Sequence, residues 1–178
     1  MTYSFRRQVT SAADGTFSLG LFGETWSISF DEFDAAEFRG LLAPQMNVAL
    51  TDGELREGVV FVFMTTTSTI SGTVTGVGVG GVSGTYVTAD VMAGATNYHA
   101  SGFTLNDGTY SFRVFNGTWQ ITVGNVSDQG LANPGPQTRT ISGDTVVDWS
   151  LPPLPPSLAL QSVPPGQFQI TLTRSEEH

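Results

Sequence analysis

The chain has 178 residues, 39% of them hydrophobic, so it is long enough for one large domain or two small ones and can build a packed core. Its net charge is −9, its pI is about 4.3 and all seven basic residues are Arg, which argues against a nucleic-acid partner and against an anionic membrane surface. Cys is absent, which excludes disulfides, thiolate nucleophiles and Cys-based zinc sites.

In chain order, the first 18 residues are polar and carry no apolar run. No signal peptide is read there, so if the protein is exported the chain is expected to be a mature form or a fragment. Asp14-Gly15 is a turn signal, followed by an alternating segment that ends around Trp26 and Ile28. Residues 30–38 interleave Asp31, Asp34 and Glu37 with Phe33 and Phe38, which predicts one short helical turn. Strands are predicted at 58–64, 68–77, 82–91 and 98–103. Asp107-Gly108 opens a second turn. Tyr110, Phe112 and Val114 then alternate with Ser111 and Arg113, Asn116-Gly117 marks a further turn, and Trp119, Ile121 and Val123 alternate with Gln120 and Thr122. That pattern predicts a half-buried antiparallel hairpin with one wet face. A strand is predicted at 145–151. Leu151-Pro-Pro-Leu-Pro-Pro156 reads as an extended polyproline II linker. Two strands close the chain, 157–163 and 167–173, with Phe168, Ile170 and Leu172 alternating against Gln167, Gln169, Thr171 and Thr173. No run reaches ~18 apolar residues, so no membrane-spanning segment is expected.

The most informative feature is internal. Asp14-Gly-Thr-Phe-Ser-Leu-Gly-Leu-Phe-Gly-Glu-Thr-Trp-Ser-Ile-Ser-Phe30 lies over Asp107-Gly-Thr-Tyr-Ser-Phe-Arg-Val-Phe-Asn-Gly-Thr-Trp-Gln-Ile-Thr-Val123, an offset of 93 residues from Asp14 to Asp107. Gly40-Leu41 with Pro44 matches Gly130-Leu131 with Pro134, and Gly53 matches Gly143, now at offset 90. A period this long exceeds a solenoid turn and suits one sandwich domain per repeat. Trp26 and Trp119 hold equivalent positions and read as core anchors.

The stretch from Thr69 to Leu151 resembles a carboxypeptidase regulatory-like domain, related to the prealbumin-like and collagen-adhesin B-type modules. The resemblance rests on Ile70-Ser-Gly-Thr-Val74, Gly84-Thr-Tyr-Val-Thr-Ala89, Tyr98, Asp107-Gly-Thr-Tyr-Ser-Phe112 and Gly117-Thr-Trp-Gln-Ile-Thr-Val123. It implies an all-β fold of tandem immunoglobulin-like (prealbumin-like) antiparallel sandwich modules, each of seven strands and roughly 80–90 residues. It also implies a spacer, an adhesion unit or an accessory domain of a secreted enzyme. The isopeptide crosslink of the adhesin branch needs Lys, which this chain lacks.

The first repeat departs from the pattern. Phe5 aligns with Tyr98, so counterparts of the strands at 68–77 and 82–91 are missing. The expected organisation is an incomplete first module at 1–65, a complete second module at 66–152, and a Pro-rich linker with a C-terminal strand at 153–178. Three explanations stand open: a fragment of a longer repeat protein, a tail that folds back to complete the first module, or a tail that completes the first module of another copy by strand addition. In the last, Phe168, Ile170 and Leu172 form the self-assembly strand and the contact propagates into a filament.

Chemistry is sparse. Gly76, Gly78 and Gly81 satisfy Gly-x-Gly-x-x-Gly, but a strand is predicted after them where a dinucleotide site needs a helix, so they read as a turn. His99 is read as a surface residue and His178 ends the chain. Asp31, Glu32, Asp34 and Glu37 form one acidic cluster and Asp52, Glu54 and Glu57 another; both read as solvated loop charge. Asp31, Glu32 and Asp34 are the candidate calcium ligands, since calcium takes oxygen donors from flexible loops; no other metal or cofactor is expected. Asn116-Gly-Thr and Asn125-Val-Ser fit the glycosylation pattern.

The function expected is a non-catalytic extracellular or cell-surface structural protein, a repeat stalk or filament subunit partnered by its own copies or by neighbouring repeats. The alternative is a carbohydrate-binding or accessory module of a secreted enzyme, with Phe22 and Phe115 as candidate glycan-stacking residues.

Overall fold

A computed structural model of the chain describes residues 5–30, 40–124, 126–155, 157–163 and 167–173. The strands in order are β1 (Thr25–Ile28), β2 (Leu41–Leu42), β3 (Pro44–Ala49), β4 (Met64–Thr65), β5 (Ser68–Gly76), β6 (Gly80–Gly81), β7 (Tyr86–Ala93), β8 (Thr96–Phe103), β9 (Thr109–Val114), β10 (Gly117–Val123), β11 (Gln137–Ile141), β12 (Thr145–Val146), β13 (Trp149–Leu151), β14 (Ser157–Val163) and β15 (Gln167–Thr173). A single 3-10 turn, Ser127–Gln129, is the one helical element among the described residues. The protein is therefore all-β, and none of its described helices is long and apolar enough to cross a membrane. The acidic segment holding Asp31, Glu32 and Asp34, and the helical turn predicted around it, lie outside the described residues.

The chain divides into two compact units. The larger contains residues 29–45 and 61–178. In it, β11, β10, β7 and β8 form one antiparallel sheet, and the first two residues of β3 add to the edge of β8, Pro44 opposite Tyr98. A second sheet is built on β5. β9 runs antiparallel to it along Ser68–Thr73, while β12 and β13 run parallel to it. β9 and β12 both pair with Ile70 and Ser71, so they occupy opposite edges of β5.

The inward faces follow the alternation in the sequence. Tyr110, Phe112 and Val114 on β9, Trp119, Ile121 and Val123 on β10, Val87 and Ala89 on β7, and Ile70 and Val74 on β5 are all buried in one core. The hairpin expected from Asp107 to Val123 does not form: β9 pairs with β5 and β10 with β7 and β11. Phe115 and Asn116 carry the chain from one sheet to the other. The reason is that both strands present a full apolar face, and two such faces are buried by opposing each other across a core, in the manner of a sandwich.

The smaller unit contains residues 1–28 and 46–60. β1 pairs antiparallel with the second part of β3, Trp26 opposite Val48, as β10 pairs with β11, Trp119 opposite Arg139. The turn of the repeat is reproduced bond for bond. Asp14 accepts from the Thr16 amide at 3.0 Å and hydroxyl at 2.7 Å; Asp107 accepts from the Thr109 amide at 3.0 Å and hydroxyl at 2.6 Å. Gly15 and Gly108 take φ of +84° and +80°, which the turn requires and which side-chain-bearing residues avoid. The repeat is thus a repeat of local structure. It is not a repeat of burial: no described residue of the smaller unit is buried.

The tail strands β14 and β15 have the predicted bounds and pair with each other, Leu158 opposite Leu172 and Leu160 opposite Ile170. They form a two-stranded sheet of their own.

Candidate functional site

The residues singled out for chemistry sort quickly. Gly76, Gly78 and Gly81 shape the β5–β6 turn, with the Val79 amide donating to the Gly76 carbonyl at 3.2 Å. Asp52 accepts from the Gly23 amide at 2.8 Å. Glu54 accepts from the Thr51 amide at 2.9 Å and hydroxyl at 3.0 Å and from Arg56 Nε at 2.9 Å; the Thr51 bonds hold its carboxyl below the ordinary value. That acidic cluster therefore ties a loop together. His99 lies on an exposed sheet face with Nδ1 2.9 Å from Asp90. Asn116 accepts from the Ser68 hydroxyl at 2.6 Å and from the Thr67 hydroxyl at 3.2 Å, so its side chain locks the crossover. Asn125 lies outside the described residues. No group of three His, Cys, Asp or Glu able to hold a metal occurs among the described residues.

The two candidate glycan-stacking residues differ. Phe115 is only 7% exposed and packs edge-on against Tyr98 and tilted against Trp119, so it belongs to the core and is unavailable to a ligand. Phe22 is 47% exposed, with Phe5 and Trp26 edge-on to it at 5.4 and 5.0 Å. An aromatic pair missed in the sequence lies elsewhere. Tyr86 and Phe103 are opposite each other in the β7–β8 ladder, with ring centroids 3.7 Å apart and exposures of 48% and 53%. The signal was faint, because 17 residues separate them and only the hairpin register brings them together. On the same sheet, Asp90, Val91, Met92, Asn97, Thr118, Gln120 and Thr138 line a shallow hollow of about 300 Å³.

The strongest site is an opening in the smaller unit. In the larger unit β5 is flanked by β9 on one edge and by β12 and β13 on the other. The repeat maps β9 onto residues 16–21 and β12–β13 onto residues 55–61. Both segments are described, and neither is in a strand. A hollow of about 500 Å³ lies in this unit, lined by Met46, Asn47, Val48 and Ala49 of β3 on one side and Arg56, Glu57, Gly58, Val59 and Val60 on the other. Leu55 and Val60 stand exposed at 82% and 67%. Among the described residues Met46–Ala49 of β3 pair with β1 on one edge and with no strand on the other, and an open edge beside apolar side chains is what an added β-strand binds.

No protein-family model matches the chain, and a comparison with curated proteins returns no match. Among solved structures the chain is similar to a DUF3823 family protein from Parabacteroides merdae, with 21% identity, a TM-score of 0.40 and coverage of 59% of this chain and 58% of that one. It is also similar to a DUF3823 family protein from Bacteroides ovatus, with 23% identity, a TM-score of 0.37 and coverage of 52% of this chain and 50% of that one. The chain thus spans between half and three-fifths of the length of these structures.

Proposed function

We propose that this chain is a non-catalytic structural protein of the cell surface or extracellular space, a repeat stalk or filament subunit of prealbumin-like sandwich modules joined by β-strand complementation. One observation carries the reading: a motif whose inward-facing residues are buried in one unit recurs, with the same turn bonds, in a second unit that buries none of its described residues. Exposed strand edges and apolar side chains are avoided in free-standing proteins because they associate, so an open module of this kind is a surface for association. The acceptor groove and any donor strand are different surfaces, so the contact is heterologous and extends from copy to copy.

The test is negative-stain microscopy with sizing chromatography on the whole chain. Fibres of uniform width, lost on deleting residues 166–178, are expected. A monomer at all concentrations, with the groove of the smaller unit protected from hydrogen exchange, would refute assembly between copies.

The exposed Tyr86–Phe103 pair, on the sheet that also holds the hollow lined by Asp90, Asn97 and Gln120, favours a second reading, a carbohydrate-binding accessory module, since sugar rings stack on exposed aromatic faces while amides and carboxylates take their hydroxyls. Glycan-array binding abolished by Tyr86→Ala supports it, and an array with no retained glycan sets it aside.

A further inference from the structure

Resting on the carbohydrate-binding reading, we infer that the outward face of the β11–β10–β7–β8 sheet is the binding site, and that it takes a neutral, extended polysaccharide laid along β7 from the Tyr86–Phe103 pair towards Met92.

The face is built by the same alternation that builds the core. Val87 and Ala89 of β7, Tyr98 and Ala100 of β8, and Trp119 and Ile121 of β10 are buried, so the residues between them point outward. The ladders set those outward residues in rows across the sheet. Tyr86 lies opposite Phe103. Thr122, Thr88 and Ser101 form the next row, and Thr138, Gln120, Asp90 and His99 the one after. The hollow of about 300 Å³ adds Met92, Asn97 and Thr118 beyond them. From Tyr86 to Met92 the strand rises about 20 Å, the span of several sugar rings.

The order of chemistry along β7 selects the ligand. At one end two aromatic rings stand half exposed, a platform that a sugar ring covers. Next come hydroxyl, amide and carboxylate groups at the fixed spacing of the rows, which serve as donors and acceptors for sugar hydroxyls. A protein partner needs a contiguous apolar centre. Here the exposed apolar side chains, Tyr86 and Phe103 against Met92, are held apart at the two ends of β7 with polar groups between them.

Charge then excludes an acidic polymer. None of these rows holds an Arg, since Arg139 of β11 is opposite the inward Trp119 and so belongs to the other side of the sheet. The ionisable groups of the rows are Asp90 and His99, whose Nδ1 lies 2.9 Å from the Asp90 carboxylate. On a chain of net charge −9 such a face repels a polyanion and leaves a neutral chain as its occupant.

Affinity electrophoresis of the whole chain through gels holding xyloglucan, galactomannan or laminarin, with polygalacturonate as the anionic control, tests this. Retardation by at least one neutral polymer and none by polygalacturonate is expected. Tyr86→Ala and Phe103→Ala should each weaken binding about tenfold. Gln120→Ala, two rows and about 13 Å further along the face, should weaken it about fivefold. Affinity for oligosaccharides of the retained polymer should rise with their length, and Phe22→Ala should change nothing. Binding that falls with Tyr86→Ala, ignores Gln120→Ala and is as tight for a disaccharide as for the polymer would overturn the inference and leave the carbohydrate-binding reading standing. Stronger retardation by polygalacturonate, or binding lost with Phe22→Ala alone, would do the same. Retardation by no polymer would remove the two together. Retention of cooperative unfolding by each variant, read from Trp fluorescence, excludes loss of the fold as the cause.

Discussion

The indole N–H of Trp119 donates to the carbonyl of Phe115 at 2.9 Å, four residues earlier, and folds the crossover between the two sheets onto its own core. Trp26 makes the same bond to Phe22 at 3.0 Å, with the rings at 5.0 Å where the Phe115–Trp119 pair has 4.9 Å. The local knot is shared but its surroundings are not, since Trp119 is fully buried and Trp26 half-buried. Trp119→Ala should cost about 3–5 kcal/mol in urea unfolding, as truncation of a buried aromatic does. Trp26→Ala should leave the main transition almost unmoved. Equal losses would mean that both modules are equally closed.

Gly15 and Gly108 make a second matched pair. A Cβ at Gly15 meets nothing within 4 Å, so Gly15→Ala should cost only the strain of a positive φ, about 1 kcal/mol. A Cβ at Gly108 would strike the Val74 carbonyl and the backbone of Gly81, both in the second sheet. Gly108→Ala should therefore cost about 3 kcal/mol or more, adding overpacking to strain. Thermal unfolding of the two variants side by side measures the difference.

Tyr110 gives stability an alkaline edge. Its hydroxyl donates to the Val147 carbonyl at 2.6 Å, and burial pushes its pKa from 10.0 up to about 12. The folded state holds this proton more tightly than the unfolded chain does. The contribution is therefore complete below pH 10 and is lost as pH rises from 10 through 12. Tyr110→Phe should flatten that part of a stability-against-pH profile and lower the plateau by about 1–3 kcal/mol, because the Val147 carbonyl is left unpaired.

The aspartates of the repeated turn act at the other end of the scale. The Thr109 hydroxyl and amide bonds hold Asp107 below its ordinary value, and Thr16 does the same for Asp14. A lowered carboxyl stabilises the fold above its unfolded pKa and ceases to do so as pH falls through the folded one. The protection of the Thr109 and Thr16 amides, as exchange rate relative to an unstructured chain at the same pH, should fall together on acidification. Asp107→Ala should remove the protection of Thr109 at neutral pH and leave Thr16 as it was.

These contrasts also mark what the amino-acid sequence could convey. Alternation placed Tyr110, Phe112, Val114, Trp119, Ile121 and Val123 on inward faces, and both tail strands fell within their predicted bounds. Period-2 patterning says which side chains point inward, and nothing about which strand is the neighbour, so the separation of β9 from β10 into different sheets was hidden. β3 escaped notice because Pro44 opens it and it buries only Pro44, and β11 because Gln137-Thr-Arg-Thr-Ile141 is largely polar and buries only Ile141. The strand predicted at 145–151 is two, because the Asp148 carboxylate takes the Thr73 amide at 2.8 Å where a ladder carbonyl would. The recurrence of the Asp-Gly-Thr turn and of the Trp four residues after a Phe was legible from the repeat. The hollow beside β3 was not, because it is set by which segments lie together and not by any residue's identity.

β5 opens the second module and β13 closes it, and the two run side by side in the same direction, Trp149 beside Val74 and Leu151 beside Gly76. Tension applied before Ser68 and after Leu151 would drag these neighbours lengthwise past one another. Their rungs, with those of Thr145 and Val146 against Ile70 and Ser71, then share the load at once and do not unzip singly. The rate of rupture is set by the barrier to shearing the whole seam. A seam sewn in this way would resist lengthwise pull as a clasp does.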